Sequence, residues 1–208
     1  GGVQGAGPAT YNLTNMNGTA TFIPLASDVY TLHKSTGKRV IVAINGISTS
    51  DLSKNWTVTF PEGWGAPKQT ELPELMSWTD HRDSGIRFFS GTAVYSKTFD
   101  VDKEMLTKNR QIYLDLGVVK NFATITLNGK DLGIMWKPPF RVNVTKLIKQ
   151  KANNIKIKVT NLWPNRIIGD EQIPADVEWN GTQLKKWPDW LVKGEKRPSG
   201  RYTFVTWN

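Results

Sequence analysis

The pair Asn128-Gly129 most constrains what this chain can fold into. Before it, Phe122, Thr124 and Thr126 alternate with Ala123, Ile125 and Leu127; the pair itself tolerates the positive φ values of a tight hairpin turn. The chain must double back there. On the return, Ile134 and Trp136 run into Pro138-Pro139, and proline cannot donate to a ladder and restricts the residue before it, so the strand ends. Residues 140–144 resume with period two, and 154–160 repeat the pattern with lysines on alternate positions. Residues 114–161 therefore predict a pleated sheet with one wet face, interrupted at 145–151 by a short helix-like connector.

The rest of the chain reads in the same idiom. Residues 11–15, 18–25 and 29–34 are β-branched or aromatic runs punctuated by Asn17-Gly18 and Ser35-Thr36-Gly37, the marks of a meander. Residues 39–45 predict a strand buried on both faces, 46–54 a looser segment, and a boundary falls near residue 50. Residues 56–60 alternate as a strand, 71–77 read as a polar link, and 86–100 as a long strand bent at Ser90-Gly91. Residues 102–108 predict one helical turn, and 110–116 alternate into the central stretch. No window carries a long helix with an apolar stripe, so the fold class is an all-β sandwich.

Composition excludes several functions. There is no apolar run of the ~18 residues a membrane span needs, and no basic-then-apolar leader at the start. With no cysteine, disulfides, thiol nucleophiles and thiolate metal sites are out; His33 and His81 are too few for a histidine-rich centre. The formal charge is +9, and the first hundred residues balance, so the whole excess lies in 101–208. There it is spread over Lys146, Lys149 and Lys151, over Lys156 and Lys158 on one strand face, and over Lys185, Lys186, Lys193, Lys196 and Arg197. That distribution reads as a solvated face, against the rival of a phosphate-tracking stripe, and it also suits an acidic polysaccharide.

After Thr160 the alternation stops. Residues 161–200 form a loop far longer than an ordinary connection, yet they hold four of the nine tryptophans, Trp163, Trp179, Trp187 and Trp190, which makes disorder a poor reading. Residues 201–207 predict a closing strand. Two readings of the indoles stay open: each fills a core, or some lie exposed as platforms for the C–H faces of sugars. Trp56, Trp64 and Trp207 read as core, while Trp136, Trp163, Trp187 and Trp190 are evenly balanced. Glycoside cleavage needs two carboxylates about 5–10 Å apart, and Asp170-Glu171, Asp176 and Glu178 cluster here. In a basic domain such acids read rather as partners for Arg166, Lys185 and Lys186. No phosphate loop or serine elbow is present.

The segments SWTDHRDSGIRFFSGTAVYSKTFD, LDLGVVKNFATITLNGKDLGIMWKPPFRVNVT, IKIKVTNLWPNRIIGD and RPSGRYTFVTW carry a resemblance. Over about residues 55–208 the chain resembles the galactose-binding-like jelly-roll domain of family 2 glycoside hydrolases, and more closely the C-terminal β-sandwich of α-L-rhamnosidase-like proteins of family 106. Residues 10–34 resemble the last strands of the β domain preceding it there. Residues 1–9, rich in glycine, read as a linker or expression scar, and the resemblance implies terminal strands of a preceding domain at 10–50 and the jelly-roll sandwich at 51–208. It also implies catalytic carboxylates in a separate (β/α)8 barrel, which takes about 250 residues, more than this chain holds. The expectation is a non-catalytic, carbohydrate-associated module of an exported (periplasmic or extracellular) bacterial glycoside hydrolase. Its partners would be the catalytic domain of the same polypeptide and a plant or microbial polysaccharide, with no nucleic acid and no cofactor; nothing indicates a structural calcium. Sugar contact is assigned to Trp136, Trp163, Asn165, Arg166, Asp170, Trp187 and Trp190, the indoles as platforms and the polar groups for hydroxyls. A purely structural inter-domain module and a basic nucleic-acid-binding domain are the rivals.

Overall fold

A computed structural model describes residues 11–16, 18–108 and 110–203. The expected linker at 1–9, the turn residue Asn17, and residues 204–207 of the closing strand with Trp207 lie outside the described residues. The chain divides between Ser50 and Asp51 into two compact units.

In the first unit, β1 (Tyr11–Met16) pairs with β2 (Thr19–Pro24) and β3 (Asp28–His33) with β4 (Arg39–Ile44), giving two antiparallel two-stranded sheets. The rings of Tyr11, Phe22 and Tyr30 meet edge to face or tilted, with centroids 4.9–6.2 Å apart. The expectation that 39–45 is buried on both faces is corrected: β4 pairs only with β3, and Ile41 stays exposed. A two-stranded ribbon has no layers to cover both of its faces.

In the second unit the strands are β5 (Lys54–Thr59), β6 (Gln69–Glu74), β7 (Thr92–Phe99), β8 (Tyr113–Asp115), β9 (Phe122–Leu127), β10 (Lys130–Met135), β11 (Arg141–Asn143) and β12 (Asn153–Thr160). Six of them form an antiparallel sheet in the order β10-β9-β12-β7-β5-β6, and β8 pairs with β11 as a separate ribbon. Alternate residues of the large sheet, among them Val58, Tyr95, Ile125, Leu127, Ile155 and Ile157, are buried. Leu114 and Val142 of the ribbon pack on this core, which makes the unit a β-sandwich as the alternation predicts. The turn is as expected, with φ of 52° at Asn128 and 80° at Gly129.

Three local readings need correction. Residues 84–87 form a short helix, α1 (Ser84–Arg87), which takes Ile86 and Arg87 out of the strand expected to begin at 86. Asp83 caps it by accepting from the Ile86 N–H at 3.2 Å, and the helix drives Ile86 and Phe89 into the core. Residues 71–74 of the expected polar link belong to a strand: β6 is the sheet edge, where one wet side and Pro73 blur the alternation. The connector at 145–151 is a run of turns, tied by the buried Asn153, whose side chain donates to the Lys149 carbonyl at 2.6 Å and accepts from the Lys149 N–H and the Asn128 amide.

The long segment after Thr160 is not one loop. It contains α2 (Pro164–Asp170), a small hairpin of β13 (Trp179–Asn180) and β14 (Gln183–Leu184), and α3 (Asp189–Val192). Residues 201–203, the described part of the expected closing strand, are not strand. No described helix is long and apolar enough to cross a membrane.

Candidate functional site

Strand register decides which loops share an end of the sandwich. Thr59 pairs with Gln69 and Val94, Thr160 with Thr92 and Phe122, and Ala123 with Met135. The connections at 60–68, 88–91, 117–121 and 136–140, and the start of 161–203, therefore all leave the large sheet at one end. Trp136 lies in one of these connections and Trp163, Asn165 and Arg166 in another, with Asp170 at the end of the helix that follows and Trp187 and Trp190 farther along the chain.

The segment after β12 is fastened to that end by polar contacts. The Asn161 side chain accepts from the Gly91 N–H at 2.8 Å and donates to the Phe89 carbonyl at 2.8 Å. Ser90 Oγ accepts from the Arg166 N–H at 2.9 Å, which seats the first turn of α2. A Cβ at Gly169 would lie 2.5 Å from the Phe88 Cβ, so only glycine lets α2 approach so closely.

Arg166 and Asp170 stand one turn apart on α2 and point into the protein, 6% and 0% exposed. Arg166 Nη2 donates to the Trp64 carbonyl at 3.0 Å, and its guanidinium carbon sits 4.4 Å from the Tyr202 ring centroid. Burial pulls the guanidinium pKa down, opposed by the Asp170 charge. Asp170 Oδ2 accepts from the N–H groups of Tyr202 and Thr203 and from the Thr203 hydroxyl, at 2.6–2.9 Å. Arg201, also buried, donates to the carbonyls of Asp170 and Ile173 and pairs with Glu171 at 3.0 Å. Arg166 and Asp170 are thus held beneath the surface by the chain itself, which departs from the expectation that they meet sugar hydroxyls directly. One atom of each, Arg166 Nε and Asp170 Oδ1, is buried without a hydrogen-bond partner.

Above them lie three rings. Trp64 stacks on Tyr202 with centroids 6.1 Å apart at 12°, and Trp163 tilts against Trp64 at 5.9 Å. All three are partly exposed, Trp163 at 52%. Trp64 reads as core in the sequence, and Tyr202 falls within the expected closing strand. The available signal was glycine: Gly63 and Gly65 flank Trp64 with φ of 81° and 88°, and a Cβ on Gly65 would sit 3.2 Å from both Arg166 Nη2 and the Tyr202 hydroxyl.

The other assigned residues stand apart from this trio. Trp136 is 69% exposed with Lys137 Nζ 5.2 Å from its ring, and Trp187 is 63% exposed. Trp190 is half-buried beneath the Arg197 guanidinium at 5.2 Å, and Asn165 is half-buried on the first turn of α2. No ring contact among the described residues joins Trp136, Trp187 or Trp190 to Trp163.

Five acids of this segment, Asp170, Glu171, Asp176, Glu178 and Asp189, are engaged in ion pairs or hydrogen bonds. Arg197 grips Asp176 with two bonds of 2.6 and 2.7 Å, and Ser199 adds a third, so the carboxyl pKa falls to about 2. Glu178 pairs with Lys185 at 2.6 Å, which lowers its pKa, and Asp189 lies 3.5 Å from Lys186. The reading of these acids as partners for lysines fits that geometry, with Arg197 and Arg201 in place of Arg166. Among the described residues no three His, Cys, Asp or Glu side chains gather to hold a metal ion.

Residues 77–196 match the sequence model of a family described as glycosyl hydrolase 2 galactose-binding domain-like. A protein of Formosa agariphila named "Putative beta-glucuronidase" is 47% identical over 156 residues, which cover 75% of this chain and 13% of that protein. The solved structure of a rhamnosidase from Novosphingobium sp. PP1Y superposes on 94% of this chain and 18% of its own, with 29% identity and a TM-score of 0.54. The chain thus spans less than a fifth of either relative.

Proposed function

Because the chain belongs to the galactose-binding-like domains of the family 2 glycosyl hydrolases, we propose that it is a non-catalytic accessory module of a larger, exported, α-L-rhamnosidase-like glycoside hydrolase. It packs against the catalytic domain of that polypeptide and offers an aromatic surface to plant or microbial polysaccharide. The observation that carries this reading is the trio of Trp64, Trp163 and Tyr202, half-exposed at the loop end and braced from below by Arg166 and Asp170. Stacked rings that do not shift present a ready face to the C–H side of a sugar and lose little entropy on binding. The pairing of Asp176, Glu178, Glu171 and Asp189 with basic side chains supports a module whose chemistry lies elsewhere.

The test is intrinsic tryptophan fluorescence of the purified chain, titrated with rhamnose-containing and with acidic pectic oligosaccharides while released reducing sugar is assayed in the same samples. A saturable shift without release is expected, and it should weaken in the Trp163→Ala variant. Release of sugar would contradict the non-catalytic role, and an unaltered titration in the variant would remove the aromatic site. Leu162 and Ile168, exposed beside Trp163, favour a second reading in which the whole patch is covered by another domain. In that case no glycan moves the fluorescence, and the isolated chain self-associates through the patch.

A further inference from the structure

The large sheet has a second face that the sandwich does not use. On β12, Ile155 and Ile157 point into the core, which turns Lys156 and Lys158 outward, about 7 Å apart along the strand. Register gives each lysine its neighbours: Lys158 lies between Thr124 of β9 and Val94 of β7, and Lys156 between Thr126 and Ser96. Among the described residues neither lysine makes an ion pair, and neither the Thr124 nor the Thr126 hydroxyl has a hydrogen-bond partner. The carboxylates in the Lys156 row, Asp131 and Glu71, stand two and three strands away, roughly 10 and 14 Å, at or beyond the screening length of physiological salt. Asp131 is occupied by the Gly133 N–H and Glu71 by the Thr57 hydroxyl.

A wet sheet face commonly carries threonine and lysine for solubility alone. What distinguishes this one is its border. Ile134, opposite Thr124, is 62% exposed, and Trp136, just past the end of β10, stands at 69% with the Lys137 ammonium beside its ring. An indole platform, unpaired cations and free hydroxyls thus share two adjoining strands and the edge beside them. Lysine is depleted where proteins bury surface against one another, so a cationic centre argues against a protein partner.

Resting on the reading that the parent enzyme handles polysaccharide, we propose that this outer face is an anionic-glycan track. A chain bearing carboxylate or sulfate groups lies across β9 and β12, with its anions on Lys156 and Lys158, its hydroxyls on Thr124 and Thr126, and one sugar ring on Trp136.

The experiment is affinity electrophoresis of the full chain in gels containing polygalacturonate, dextran sulfate or uncharged dextran. It compares the wild type with K156Q/K158Q, Trp136→Ala and Trp163→Ala, each checked for an unchanged thermal midpoint. Wild type should be retarded by a charged glycan and not by dextran, with the polygalacturonate and dextran sulfate lanes telling carboxylate from sulfate preference. K156Q/K158Q and Trp136→Ala should each weaken binding to the charged glycan roughly tenfold, whether or not Trp163→Ala, which reports the ring trio, weakens it as well. Wild type that ignores both polyanions, or a lysine variant that binds like wild type, overturns the proposal. So does equal retardation by oligothymidine with the same lysine dependence, which would assign the face to nucleic acid. If Trp163→Ala alone loses glycan binding, the accessory-module reading survives and the track does not.

Discussion

Asp170 is one of the side chains that tie the loop end together. Its Oδ2 takes two backbone N–H groups and a hydroxyl from residues 202–203, and its charge opposes the burial that lowers the Arg166 pKa. Asp170→Ala leaves those donors without an acceptor and the Arg166 guanidinium without its countercharge in a dry setting, so a loss of about 3–5 kcal/mol is expected in urea unfolding. Asp176 acts differently. The hydrogen bond from Arg197 is the main cause of its depressed pKa, burial works against it, and the Ser199 bond adds to it. A carboxyl at about 2 in the fold and near 3.8 unfolded contributes about 2 kcal/mol at neutral pH. That contribution is whole above the unfolded value and disappears as pH falls from 4 towards 2. The stability gap between wild type and Asp176→Asn should therefore be wide at pH 7 and closed near pH 2. Arg166 and Asp170 were legible as members of a polar cluster, but their burial was not. A seven-residue helix has too few positions to show an apolar stripe, and i, i+4 spacing places two charges on one face without saying which way that face looks.

At the level of elements, legibility followed strength of local signal. The β9–β10 hairpin announced itself, because Asn128-Gly129 and clean alternation agree. The helix α1 did not: IRFF is as good a strand as any in the chain, and only the Asp83 cap and the seat of Phe89 in the core settle the matter. Asp83→Ala should cost about 1 kcal/mol, read from the thermal midpoint. Gly85 in the same helix touches the site. A Cβ there would lie 2.1 Å from the Gly65 carbonyl oxygen, a backbone atom that cannot swing aside, and Gly65 follows Trp64. Gly85→Ala should destabilise by roughly 1–3 kcal/mol and also shift the tryptophan emission, because the loop carrying Trp64 must move. A merely destabilised variant would keep the native emission maximum below its midpoint.

For the whole molecule, the imbalance between the two units is the governing fact. The core cluster from Trp56 to Ile157 belongs entirely to the second unit, whereas Tyr30 is the single buried hydrophobic residue among those described in the first. A polypeptide of residues 51–208 should therefore keep the thermal midpoint of the full chain within a few degrees, and residues 1–50 alone should show no cooperative transition in circular dichroism. Register also fixes where the chain enters and leaves the sandwich. Lys54 pairs with Glu74 at the end away from the loops, and Thr203 is bound to Asp170 on α2, at the loop end. A load applied between residues 51 and 203 would thus run lengthwise along β5, which is hydrogen-bonded on both sides by β6 and β7. Ladder bonds lie across the strand axis, so such a load shears both ladders at once instead of unzipping them bond by bond. Pulled between those two points, the sandwich therefore resists as a whole ladder and does not peel strand by strand.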